Sequence, residues 1–329
     1  MKKKKFIPDP QQMALFPTIS GNKINGVDEK ELRNPSYVYW GNDSSEIAHG
    51  ALQEWFYTID PGLPEFNFER QKRNAIVAEP LSEIAAEKII LPKKVVANFY
   101  DKSIKKGIFD KVGVAKFDPI WAFQGVEITY GKIIMLAFQH DYKNISKAPD
   151  PEAGLEVMRQ YKRAAYGSKY IANWLRASGW DAEPLTGPMS GKITLIPPAL
   201  AAGFGELGKH GSIINPEFGS SFRLSAVLTD CPLALTYENS HEIDEFCSKC
   251  KICETACPTN AIQEEKKMVR GTQKWYVDFD KCLPYFNEHQ GCSICISVCP
   301  WSRPGIGLSL AKKLRSRAIR LGKSDKISN

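Results

Sequence analysis

At 329 residues, with 43% hydrophobic and 25% charged side chains, the chain is large enough for more than one core, since single cores seldom grow past about 250–300 residues. No run approaches the roughly 20 apolar residues of a membrane-spanning helix, and Met1-Lys2-Lys3-Lys4-Lys5-Phe6 is followed by Pro8, Asp9 and Pro10 where an export signal needs an apolar stretch. The formal charge of +7 sits at the ends, in Lys2 to Lys5 and in the basic residues from Lys312 to Lys326, and the body between them is slightly acidic.

Those basic ends carry no interleaved aromatic residues, which argues against a nucleic-acid partner. They read as solvated ends, with weak association to an anionic lipid surface or an acidic electron donor as the alternative. The expectation is a cytoplasmic chain without a transmembrane segment.

Residues 1–90 read as an elaboration around a core. Helical patterns at 45–57 and 81–90 flank the proline-bearing Asp60-Pro61-Gly62-Leu63-Pro64. From Pro92 helix and strand alternate: a helix to about Lys106, a strand from Val112 to Phe117, and a buried strand from Lys132 to Gln139. The longest helical pattern runs from Pro151 to Gly179, with Asp150 placed as its cap and Pro151 in its first turn. The stretch Gly187 to Lys192 is one residue short of a phosphate-binding loop and has Ile193 where Ser or Thr should follow, so no nucleotide site is expected there. A last strand runs from Arg223 to Asp230, and near residue 240 the composition turns cysteine-rich. The predicted class is α/β (α+β): a layered domain over 91–240, a small module over 241–305 and a basic tail over 306–329.

Nine cysteines in a chain without an export signal point to metal ligation before disulfides. The first quartet is Cys247-x2-Cys250-x2-Cys253-x3-Cys257-Pro258, and the second is Cys282-x9-Cys292-x2-Cys295-x3-Cys299-Pro300. This is the bacterial ferredoxin rhythm, in which the cysteine before proline ligates the other cluster. Cys247, Cys250, Cys253 and Cys299 are therefore assigned to one [4Fe-4S] cluster, and Cys282, Cys292, Cys295 and Cys257 to a second. Eight cysteines can also build two structural zinc sites, but zinc does not require the Cys-Pro endings. Cys231 lies outside the pattern and reads as a small buried hydrophobe. A module of about 65 residues leaves some 240 before it, too many for an electron carrier alone, so the large domain is expected to hold the electron acceptor.

The stretch from Gly203 through Gly205-Glu206-Leu207-Gly208-Lys209-His210-Gly211 to Pro216, then Gly219 to Leu224 and Val227-Leu228-Thr229-Asp230-Cys231-Pro232-Leu233, resembles the corrinoid-dependent reductive dehalogenases. The likeness continues through Trp275 to Cys282 and from Gly291 to Cys299-Pro300-Trp301-Ser302-Arg303-Pro304. It implies a nitroreductase-like domain holding a base-off cobalamin, an organohalide, expected to be aromatic, as substrate, and a ferredoxin, flavodoxin or reductase as electron donor. No His has Asp two positions before it, so the Asp-x-His-x-x-Gly signature of His-ligated corrinoids is absent. Glycines 203, 205, 208, 211 and 219 permit close backbone approach to a flat cofactor, although glycine-rich loops are common. Gly205 to Gly211 are accordingly read as cofactor-binding, with Lys209 and His210 toward its polar groups and Ser190 as a further lining residue.

Epoxyqueuosine reductase is a related reading, and a corrinoid-handling or electron-carrier protein without turnover is another. The sequence departs from the dehalogenase pattern at Cys231, where leucine is expected, and at Gly179-Trp180, where Gly-Tyr is expected. It also shows no twin-arginine signal, which within that family suggests a catabolic or detoxifying role.

In that family a tyrosine on the helix before an Arg-x-x-Gly-aromatic turn donates the proton, and here the turn is Arg176-Ala177-Ser178-Gly179-Trp180. The helix carries Tyr161, Tyr166 and Tyr170. At about 100° per residue Tyr161 and Tyr166 lie roughly 140° apart and cannot face one pocket. Tyr161, on a stripe with Ala165, Ser168 and Ala172, is the first choice and Tyr166 the second. Arg223 is the candidate cation, able to favour the phenolate or to form a plain salt bridge. Trp121, Phe123, Trp174 and Trp180 are candidates for apolar pocket walls, with core packing as the commoner alternative.

Overall fold

The computed structural model describes residues 6–41, 43–187, 191–237 and 241–320. In chain order the elements before the first strand are α1 (Pro10–Ala14), α2 (Gly21–Ile24), α3 (Gly50–Thr58), α4 (Pro64–Ala78) and α5 (Lys93–Lys105). The large domain continues with β1 (Lys111–Lys116), β2 (Lys132–Gln139), α6 (Tyr142–Ile145), α7 (Pro151–Ala177), β3 (Ala182–Leu185), α8 (Ile196–Ala201), β4 (Glu206–Leu207), β5 (Ile213–Ile214) and β6 (Phe222–Thr229). The cysteine-rich module consists of α9 (Ile243–Lys249), α10 (Ile252–Ala256), β7 (Lys267–Val269), β8 (Thr272–Lys274), α11 (Phe279–Glu288) and α12 (Ile294–Ser297), and α13 (Ile306–Arg320) follows it.

Strands β1, β2, β6 and β3 form one sheet in the order β1-β2-β6-β3, and every pairing is antiparallel. The run Ile133 to Phe138 has no exposed residue, as expected of a central strand covered on both faces. Its odd positions, Ile133, Met135 and Ala137, join Ala226 and Leu228 of β6 against Ala199, Ala202, Phe204 and Phe218. Its even positions, Ile134, Leu136 and Phe138, meet Ala164, Ile171, Ala172 and Leu175 of α7, with Phe99 and Tyr100 of α5 packed beside them. The result is a three-layer α/β domain, the class predicted.

Helix α7 lies close on the sheet because Gly167 has no side chain: a Cβ there would come within 2.9 Å of the Phe138 ring. On its other flank α4 is tied down by Lys162 to Glu69, and by the buried Lys169, whose Nζ donates to the carbonyls of Ile76 and Glu79. A lysine over the last carbonyls of a helix satisfies groups that the helix itself leaves open. The small stripe Ala165, Ser168 and Ala172 is fully buried in this packing, so the space expected above it for a ring system is filled by protein.

Two local expectations change. Residues 81–90 are not helical. They run extended along the end of α7, where Ala85 N donates to Arg176 O (2.9 Å) and Ile89 N to Ser178 O (2.9 Å). Pairing with the open carbonyl end of α7 outweighs the segment's own helical pattern. The helix expected from 45 begins only at Gly50, after a short turn at Ser44–Glu46, and Pro64, read as part of a separator, instead starts α4 from its first-turn position. Asp150 does precede α7, but its side chain makes no capping hydrogen bond.

The N-terminal segment wraps the cysteine module. Asn22 donates to Asp278 (2.9 Å), Tyr39 to Asn287 (2.6 Å), and Asp28 N to Met268 O (2.8 Å). The first part of the basic C-terminal stretch forms α13, with Gly307 and Ala311 buried beside Trp301. Replacing Gly167 by Val is expected to lower stability by about 1–3 kcal/mol through overpacking against Phe138. Tyr166→Phe, one position away on the exposed face, should stay within about 0.5 kcal/mol. Thermal unfolding of the two variants checks the contrast.

Candidate active site and cluster ligands

The eight module cysteines sit on short helices and the turns after them: Cys247 on α9, Cys253 on α10, Cys282 on α11 and Cys295 on α12, with Cys250, Cys257, Cys292 and Cys299 in the connections. Burial pushes the thiols up, to about 12 for Cys247, Cys253 and Cys282 and to about 11 for Cys292 and Cys299. Their mutual repulsions divide them. Cys253 feels Cys299 and Cys250, and Cys299 feels Cys247 and Cys250. Cys282 feels Cys292 and Cys257, and Cys292 feels Cys257. Cys295 bridges the groups, with Cys292 and Cys282 its strongest neighbours and Cys253 after them. Cys231 is fully buried in the sheet core.

The loop into Cys292 is held in an unusual conformation, with Gln290, Gly291, Cys292 and Ser293 all at positive φ. Such backbone persists only where the surroundings over-determine it. Here the Gln290 side chain donates to Phe56 O (3.4 Å) and Ile59 O (3.2 Å) at the end of α3, so the N-terminal wrap holds a cysteine loop in place.

The hairpin β4-β5, which carries residues 205–211, is turned toward this module. Glu206 accepts from the backbone N–H of His241 (2.6 Å) and of Asp244 (3.1 Å), capping α9 from outside. Leu207 packs with Ile214, Cys247 and Trp301. Lys209 is fully buried beside Trp275 and Glu254. The glycines serve the hairpin's own closeness: a Cβ at Gly205 would lie 2.1 Å from Ile214 O, and one at Gly208 would lie 2.6 Å from Ile214 Cδ1. His210 is buried, its Nδ1 accepting from Ser212 N (3.2 Å), and burial pulls its pKa down to about 4.

Tyr161 and Arg223 are brought together. Residue 223 lies on the α7 side of β6 by the two-residue alternation of a strand, and its guanidinium stands 5.4 Å from the centre of the Tyr161 ring. Arg73 of α4, a helix not expected from the sequence, also bears on Tyr161 and is itself lowered by burial. Gly187 closes the third side, since a Cβ there would lie 3.6 Å from Tyr161 Cδ1. Ser190 lies outside the described residues. Tyr166 is not part of this group. It is 47% exposed and stacks on Tyr170, which stacks on Phe99.

His140, which follows β2, was not singled out from the sequence. Its side chain is buried, Nδ1 lies 3.3 Å from Ser221 Oγ, and Nε2 has no partner. Burial and then the Arg223 charge hold it well below the usual histidine range, so it is neutral near pH 7. It lines a cavity of about 390 Å³ with Tyr142, Ser221, Ser302 and Arg303. The only sequence signal was its place directly after an apolar strand. Trp174 and Trp180 belong to the packing around α7: Trp174 stacks on Phe99 at 4.0 Å, and Trp180 donates to Ile89 O. Trp121 packs on the other face of the sheet, and Phe123 stacks on Tyr37.

Residues 246–302 match the family model of a 4Fe-4S dicluster domain. The tetrachloroethene reductive dehalogenase of Desulfitobacterium hafniense is 32% identical over 216 residues, 61% of this chain and 38% of that protein. Over these 216 residues the chain is similar to the reductive dehalogenases. The tetrachloroethene reductive dehalogenase of Sulfurospirillum multivorans is 28% identical over 236 residues, 68% of this chain and 46% of that one. The chain also shares 35% identity over 131 residues with the epoxyqueuosine reductase of Escherichia coli, 35% of this chain and 31% of that enzyme. A catabolic reductive dehalogenase solved with 3-bromo-4-hydroxybenzoic acid shares the fold, with a TM-score of 0.71 and 19% identity over 99% of this chain and 49% of that one. The chain therefore spans about 40–50% of the length of these dehalogenases.

The low pKa of His210 sets a pH dependence. The unfolded chain titrates this group near its ordinary value of about 6.5, whereas the fold holds it at about 4. Between these values the unfolded state binds more protons, so the contribution is present above about 6.5 and is lost as pH falls toward 4. The stability difference between the native protein and His210→Asn is expected to shrink by up to about 1.4 kcal/mol per pH unit in that window. Denaturant unfolding at pH 7, 6 and 5 measures it.

Proposed function

We propose that this chain is a corrinoid and iron-sulfur reductase that replaces halogen by hydrogen on an organohalide. One observation supports the reading: Arg223 stands 5.4 Å from the centre of the Tyr161 ring and its charge also bears on His140, which lines a cavity shared with Ser302 to Pro304, directly after the cysteine module.

Cys247, Cys250, Cys253 and Cys299 would hold one [4Fe-4S] cluster, and Cys282, Cys292, Cys295 and Cys257 the other. His140 Nε2 and Arg223 Nε are buried without partners, polar atoms that a bound cofactor would satisfy. His140, Tyr142, Ser221, Ser302 and Arg303 would line one side of a base-off cobalamin, with Ser190 and the hairpin 205–211 as the family-derived candidates for its remaining contacts. When bound, that group supplies a strongly reducing metal able to take carbon-halogen bonds apart.

The remaining chemistry belongs to the chain. Replacing halide by hydrogen needs two electrons and one proton. Tyr161 gives the proton to the substrate carbon from its hydroxyl. Arg223 stabilises the phenolate left behind, since an opposite charge nearby favours the charged form, and it offers a counter-charge to the departing halide. Arg73 adds a second positive charge near the same ring. The neutral His140 adds no charge of its own to the adjoining wall. An aromatic halide, a cytoplasmic ferredoxin, flavodoxin or reductase as donor, and weak surface association through the basic ends complete the reading.

Anaerobic reconstitution with iron, sulfide and cobalamin, followed by metal analysis and bromide assay on a brominated phenol, tests it. The expected result is about eight irons, one cobalt and bromide release. Tyr161→Phe should retain both metals and lose on the order of 10²–10⁴ in bromide release, the usual contribution of a positioned proton donor. Eight irons without cobalt would return the protein to the carrier class, and cobalt without bromide would favour an epoxide-reducing activity.

A further inference from the structure

Lys209 is a buried cation that the chemistry above does not use. Its side chain is 1% exposed, with Nζ 5.2 Å from the centre of the Trp275 ring and 3.4 Å from Glu254 Oε2. The backbone N–H of Lys209 donates to the sulfur of Cys247, and its charge also bears on Cys253. Cys282, Cys292 and Cys295 are influenced by burial, by other thiols, by Asp278 and by the Ile294 N–H, with no lysine or arginine among these influences.

We propose that Lys209 raises the reduction potential of the cluster held by Cys247, Cys250, Cys253 and Cys299 above that of its neighbour, and that Glu254 moderates the effect. The inference rests on the two-cluster reading above. Reduction adds one electron and no proton to a cluster, so its charge becomes one unit more negative. A positive charge fixed nearby, out of water, favours that state, and an N–H aimed at a ligand sulfur acts in the same sense. The partners of Lys209 make the position tolerable for a cation, because the Trp275 ring and the Glu254 carboxylate both attract it. Lys266 supplies an internal comparison: it lies 5.4 Å from the same ring, but its side chain is 32% exposed and paired to Asp244, where solvent screens its charge. An electron entering the module would then settle first on the cluster beside Lys209, and the other cluster would be the stronger reductant.

The native protein and the variants Lys209→Met, Glu254→Gln and Lys266→Met are reconstituted with iron and sulfide, assayed for iron, and titrated with dithionite under electron paramagnetic resonance. Lys209→Met should lower one midpoint by at least tenfold in its reduction equilibrium, about 59 mV for one electron, and leave the other in place. Glu254→Gln should raise the same midpoint, and Lys266→Met should move neither. Unchanged midpoints in Lys209→Met at full iron content, or equal shifts of both, would overturn the inference while leaving the two-cluster reading intact. If Lys209→Met fails to assemble its iron, the sign in Glu254→Gln decides: a rise supports the inference, and no change or a fall overturns it. A native protein with fewer than two clusters would overturn both readings.

Discussion

The contact on which the arrangement turns is the one between Gly219-Ser220-Ser221 and Trp301-Ser302. Gly219 is at positive φ, and a Cβ there would come within 2.3 Å of the backbone at Trp301 and Ser302, so only glycine lets the two chains meet. Ser220 then joins Ser302 through its N–H and its hydroxyl, both at 3.1 Å. On one side of this seam lies Cys299, two residues before Trp301. On the other, β6 begins and presents Arg223 to Tyr161. A few residues thus fix the separation of cysteine module and tyrosine, and since electron transfer and proton transfer both depend on distance, the seam matters more than the size of either domain.

The module itself is a costly object to fold. Burial holds the thiols of Cys247, Cys253 and Cys282 well above their ordinary range, whereas cluster assembly needs thiolates. Ligation removes those protons, so metal binding and stability are coupled. The framework that keeps the ligands in place before metal arrives comes largely from elsewhere in the chain: Asn22, Tyr39 and α3 from the N-terminal wrap, Glu206 from the hairpin, and α13 from below Trp301.

Much of this was legible in the sequence where one periodicity dominated. Lys132 to Gln139 is apolar enough to be a two-sided strand, the long helix announces its start with Asp150-Pro151 and its end with Gly179, and the cysteine spacing carries its own chemistry. What could not be read depended on partners distant in the chain. Residues 81–90 have a helical pattern, but the open end of α7 claims their backbone. Arg73 approaches Tyr161 only because α4 lies across α7. Around the glycines of 205–211, a Cβ at Gly205 would meet the backbone of Ile214, one at Gly208 the side chains of Ile214 and His210, and one at Gly211 the side chain of Val277. Tyr161 and Tyr166 were separable by helix geometry alone, but their surroundings were not: one meets two arginines, the other solvent.

The charges around Tyr161 follow a single logic. Arg223 and Arg73 bring positive charge to the Tyr161 ring, and a protonated His140 would add a third like charge beside Arg223. Burial already disfavours that form, and the neighbouring arginine disfavours it further. Ser221 lies 3.3 Å from Nδ1, and Nε2 has no partner. A neutral histidine offers one N–H or one lone pair, according to tautomer, and neither depends on pH through the neutral range. Fixed cations thus stand beside the tyrosine, with a neutral imidazole next to one of them.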